Sequence, residues 1–116
     1  MKISVEKHDV KEWLDVLSEA SKGKHYPALW KRVHGLVAVP SRKRNGVNLY
    51  KLNEHTKDGD NVIVPGKVLS VGSMDHKINV AAIEFSTQAK HGLKAANCKI
   101  VPIKEMVKAE KVHLIV

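Results

Sequence analysis

The sequence predicts an α/β fold: a single domain of irregular ββα turns preceded by an N-terminal helical hairpin. Three observations predict it. Apolar residues recur at helical spacing twice before residue 40, short aliphatic runs broken by Gly and Pro fill the middle of the chain, and residues 77–85 form a strand-like run that is apolar on both faces. A length of 116 residues with 43% hydrophobic content suits one domain with a core of its own. Within that unit, residues 1–46 read as a basic hairpin and loop, and residues 47–116 as the α/β core.

The elements follow in order. Asp9 and Glu12 have the spacing of a capping pair, and Val10, Trp13, Leu14, Leu17 and Ala20 fall on one stripe, so a helix is expected over about 10–21. Gly23 interrupts it. Pro27 suits the first turn of a second helix, carried by Tyr26, Leu29, Trp30 and Val33 until Gly35 or Pro40. Because Trp13 and Trp30 lie on apolar stripes, both are assigned to the core and not to base stacking. Residues 41–46, with three consecutive cations and an Asn-Gly pair, read as an exposed loop.

Val47 and Leu49 alternate with Asn48 and Tyr50, and a helical turn over 51–57 closes at Asp58-Gly59. Residues 61–64 read as a strand, Pro65-Gly66 as a turn and 67–71 as a second strand. In the run 77–85, Ile78, Val80 and Ala82 share one face and Ala81, Ile83 and Phe85 the other, which places this strand between two layers. Ser86 is a natural cap for a helix carrying Ala89, Leu93 and Ala96. A strand at 99–101 and a helix over about 103–109, with Ile103, Met106 and Val107 inward, complete a parallel crossover. The apolar tail 112–116 suits either packing or pairing with an edge strand.

Charge narrows the function. Twenty Lys and Arg against twelve Asp and Glu give +8, which favours a polyanionic partner. Between Ser21 and Asn53 every charged residue is positive, so Lys31, Arg32, Arg42, Lys43 and Arg44 have no carboxylate beside them in sequence. Arg presents a planar fork to two phosphate oxygens, whereas Lys acts as a point charge. The 42–44 loop is therefore expected to fix orientation, with Lys51, Lys67 and Lys77 adding affinity. Asn48 and His76 suit 2′-hydroxyls or base edges. Few aromatic residues argue against a stacking platform, and no helix-turn-helix or zinc-finger spacing marks a DNA reader, so structured RNA is the favoured ligand.

Other chemistries find little support. Neither GxGxxG nor GxxxxGK[ST] occurs, and no small-molecule substrate or cofactor is expected. The seven histidines lie 9 to 22 residues apart, never at the spacing of a helical metal pair. Glu54, Asp58 and Asp60 form an acidic cluster that a metal-dependent RNA-processing enzyme would need, but they flank a glycine turn with no general base beside them. A protein-interaction module with incidental basic charge is the third reading. Cys98 alone makes no internal disulfide, which suits a reducing compartment, and the start has neither a signal-peptide core nor a membrane span.

The segments VNLYKLN (47–53), KDGDNVIVPGKVLS (57–70) and HKINVAAIEFSTQA (76–89) resemble the central signature of the archaeal and eukaryotic large-subunit ribosomal protein family eighteen-e, related to bacterial large-subunit protein fifteen. The resemblance runs from about residue 10 to 109. It implies a non-enzymatic cytoplasmic protein of the ribosome, of archaeal type, bound to large-subunit ribosomal RNA and neighbouring ribosomal proteins. Carried over by motif, it implies RNA contacts at Arg42, Lys43, Arg44, Asn48, Lys51, Lys67, His76 and Lys77. Two positions depart from the family pattern: Ser70 stands where Gly is usual, and Asn97-Cys98 where a Gly pair ends the helix. The first helix also carries more acid than the family pattern implies.

Overall fold

Burial follows the two helical stripes. The computed structural model describes residues 2–39 and 46–116, and its first elements are α1 (Lys2–Ala20) and α2 (Pro27–Val37), packed against each other. Trp13 and Leu17 meet Trp30, Val33 and Val37 in one apolar cluster. Trp30 is fully buried, and its indole N–H donates to the His25 carbonyl at 2.8 Å, so no polar atom is stranded. Tyr26 enters α2 with φ 52°, an uncommon left-handed backbone for a non-glycine residue, just before Pro27. His25 Nε2 donates to the Ala109 carbonyl at 2.6 Å and ties this bend to the far end of the chain. α1 starts eight residues earlier than the sequence pattern predicts.

Among the described residues five strands follow, all in parallel pairs: β1 (Gly46–Asn48), β2 (Asp60–Leu69), β3 (Ile78–Phe85), β4 (Lys99–Ile100) and β5 (Val112–Leu114). The order is β1-β2-β3-β4, with β5 also on β2. Between strands lie α3 (Leu49–His55), α4 (Thr87–Ala95) and the short α5 (Ile103–Met106). Pro65-Gly66 is not a turn. β2 runs straight through it as one strand, advancing three residues from Val64 to Lys67 while β3 advances two from Ala82 to Glu84. Asn61, Val62 and Ile63 pair with β5 and Lys67, Val68 and Leu69 with β1, so the proline occupies the bulge where β2 changes neighbours and needs no ladder N–H.

The sheet has apolar residues on both faces, as the 77–85 pattern predicts. On one face Ile63, Ala81 and Ile83 meet the hairpin and the α5 residues Ile103 and Met106. On the other, Val62, Val64, Val68, Ile78 and Val80 meet Leu49 and Leu52 of α3, Ala89 and Leu93 of α4, and Ile115. Phe85 belongs to this second face and not with Ala81 and Ile83. It is the last residue of β3, where the chain turns to α4.

α4 is capped at both ends as its sequence suggests. Ser86 Oγ accepts from the Ala89 N–H at 3.1 Å. At the other end Asn97 takes φ 62°, donating to Lys94 while Cys98 donates to Leu93, the paired bonds of a Schellman motif with Asn in the usual glycine place. Gly72, with φ 93°, is required by space as well: a Cβ there would lie 2.6 Å from that of Tyr50. No helix among the described residues is long and apolar enough to cross a membrane.

Candidate nucleic-acid interface

Because Trp30, Val33 and Val37 set the inner face of α2, Lys31 and Arg32 are turned outward and exposed. The chain next carries Arg42, Lys43 and Arg44, which lie outside the described residues. It resumes at Gly46, and parallel pairing sets Gly46 beside Lys67. The Lys67 ammonium lies 3.9 Å from a Glu84 carboxylate oxygen, with both side chains more than two-fifths exposed. A solvated pair of this kind contributes about 0–1 kcal/mol, so exchanging it for a phosphate contact costs little.

Three other sequence-predicted residues hold the protein together. The Asn48 Oδ1 accepts from the Val71 N–H at 3.3 Å, linking the start of α3 to the loop after β2. Lys51 Nζ donates to the Val116 carbonyl oxygen. The His76 side chain is 16% exposed, with Nε2 2.6 Å from the Thr56 hydroxyl and Nδ1 2.6 Å from Asp75 Oδ1. These bonds to His76, and then to Asn53, hold the exposed Asp75 carboxyl below its ordinary pKa.

Among the described residues, Lys67 and Lys77 do not share one patch. Lys77 is exposed and directly precedes Ile78, which pairs with Asp60 at the opposite end of β2 from Lys67. Seven residues of strand separate the two registers, roughly 23 Å at the usual rise.

Two members of the acidic cluster, Asp58 and Asp60, are committed to turns. Asp58 Oδ1 accepts from the Lys77 N–H at 3.1 Å and Asp60 Oδ2 from the Lys57 N–H at 2.8 Å. Among the described residues no group of three or more His, Cys, Asp or Glu side chains is placed to hold a metal ion. Burial raises the Cys98 thiol pKa, which lowers its thiolate fraction and its nucleophilicity.

One feature escaped the sequence reading. From Phe85 to Lys104 there is no Asp or Glu, while Lys90, Lys94, Lys99 and Lys104 all occur and all are exposed. The criterion that singled out residues 21–53 also singles out this stretch. Its signal in sequence is weaker because its lysines are spaced and not consecutive.

A helix-flanked parallel sheet with cations spread over several elements describes a small basic α/β domain with a distributed charged surface. The chain is 40% identical over 94 residues to large ribosomal subunit protein eL18 of Sulfurisphaera tokodaii, covering 81% of this chain and 75% of that protein. It is 36% identical over 96 residues to the eL18 protein of Methanococcus maripaludis, covering 83% and 79%, and 41% identical over 76 residues to that of Sulfolobus acidocaldarius, covering 66% and 64%. No family model matches the chain. With this identity over three quarters of a relative's length, the chain belongs to the eL18 family of large ribosomal subunit proteins. The resemblance read from residues 47–53, 57–70 and 76–89 is thereby confirmed.

Proposed function

We propose that this chain is a structural, non-enzymatic component of the large ribosomal subunit in the cytoplasm, where it clamps ribosomal RNA through phosphate contacts beside neighbouring ribosomal proteins. Membership of the eL18 family carries this reading. The acid-free stretch from Ser21 to Asn53 says how attachment works: cations without carboxylates beside them in sequence meet phosphate oxygens. Residues 1–46 supply the hairpin and basic loop, and residues 47–116 the core that positions the remaining contacts.

Within the proposed set, Lys31, Arg32, Arg42, Lys43, Arg44, Lys67 and Lys77 act as phosphate ligands. Asn48, Lys51 and His76 act mainly by fixing the loops from which those ligands project, consistent with their internal bonds. Binding of the purified protein to large-subunit ribosomal RNA is measured against salt. Seven engaged cations predict that log affinity falls with log salt at a slope of roughly five to six, using about 0.7–0.9 per phosphate. A slope near zero, or unchanged binding when Arg42, Lys43 and Arg44 are all replaced by Gln, rejects the proposal.

A further inference from the structure

Within the acid-free stretch from Phe85 to Lys104, α4 lies on the opposite side of the sheet from α2, whereas Lys104 lies on the α2 side and pairs with Glu12. Ala89 and Leu93 of α4 are buried against Val62, Val64 and Val68, while Trp30 and Val33 of α2 are buried in the cluster that contains Ile63. Successive residues of β2 point to opposite faces of the sheet, so the sheet separates the two helices. With Ala89 and Leu93 inward, α4 turns Lys90, His91 and Lys94 outward, all exposed.

Lys90 and Lys94 are four residues apart, a spacing at which like charges repel and weaken an isolated helix. No salt bridge joins Lys90, Lys94 or Lys99 to a carboxylate among the described residues. The fold thus carries two uncompensated basic helices back to back. The outward face of α4 also carries Thr87, Gln88 and Ala95, and no exposed large apolar residue lies on this helix. A protein interface would want an apolar centre and a membrane surface an apolar face, whereas a nucleic-acid backbone wants the charge alone.

We propose that α4 is a second RNA-binding surface, so that one molecule bridges two separate RNA segments, one against the α2 side of the sheet and one against Lys90 and Lys94. The proposal rests on the ribosomal reading above and adds a bridging role to it. A single backbone path cannot lie on both helices without passing around an edge of the sheet, so occupancy of both sides means two segments.

The test uses the full chain and two 20-base-pair RNA duplexes, one carrying a fluorescence donor and the other an acceptor, at low salt. Energy transfer should rise with added protein and fall again at excess protein, as each duplex acquires its own molecule. Lys90→Gln with Lys94→Gln should cut the peak transfer at least fivefold while one-duplex binding persists. On large-subunit ribosomal RNA the same double variant should lower the salt slope by about 1.5, two contacts at roughly 0.7–0.9 each. Binding of one duplex with no transfer, or an unaltered peak and slope in the double variant, overturns the bridging proposal and leaves the ribosomal reading standing. Failure to bind RNA at all overturns both.

Discussion

The two sides of the sheet are packed by different means. On the hairpin side, two helices adjacent in sequence present two tryptophans and long aliphatic side chains to Ile63, Ala81 and Ile83. On the other side, short elements spread from Val47 to Ile115 present mostly Val, Leu and Ala. Backbones there come close together: a Cβ on Gly92 would lie 2.7 Å from Leu49 Cδ1, and one on Gly72 would lie within 3 Å of the Tyr50 backbone. Stability therefore rests on bulk on one side and on close fit on the other. The first is a local product of helical periodicity, and the second exists only once distant strands have paired.

Trp30→Ala tests the bulk side and should be the costliest single change. It removes a fully buried ring and an indole hydrogen bond, and about 3–5 kcal/mol is expected, read as a lower urea midpoint. Leu93→Ala is the matching deletion opposite, at about 2–5 kcal/mol. If it proves costlier than Trp30→Ala, the contrast between bulk and fit is reversed. Gly72→Ala adds one methyl group in a position with φ 93° and no room beside Tyr50. The backbone term alone is about 1–3 kcal/mol, and a stability equal to the parent would show that the fit there is slack. Ser86→Ala removes the α4 cap and should cost about 1 kcal/mol, checked by the same denaturation curve.

The same contrast explains what could be read from the sequence. The hairpin stripe through Trp13, Leu17, Trp30 and Val33 needs only the 3.6-residue repeat, and the Ser86 and Asn97 caps need only local chemistry. α1 starts before the predicted cap because Asp9 and Glu12 have the spacing of a cap and equally that of two neighbours within a helix. Pro65-Gly66 looks like a turn in isolation, and pairing to β1, β3 and β5 overrides that signal. β5 has three residues, too few for an alternating pattern. At the proposed interface the charges were legible, but their separation was not. Parallel register places Lys67 and Lys77 at opposite ends of β2, and no local rule in sequence encodes register between distant segments.

The smallest predicted effect lies at the surface of the closely fitted side. Asp75 is exposed, yet its carboxyl is held below the ordinary value of 3.8, first by the His76 ring and then by Asn53. A carboxyl whose folded pKa is depressed adds stability above its unfolded pKa, and that stability is lost as pH falls through the folded value. Asp75→Asn should therefore lower thermal stability slightly at neutral pH, with the difference from the parent shrinking below about pH 4. Melting temperatures of both proteins from pH 7 down to about pH 2.5 measure the gap. A gap that stays constant across that range would show that Asn53 and Thr56 hold the 70–77 loop without help from the Asp75 charge. His76 would then owe its position to packing and to its bond with Thr56.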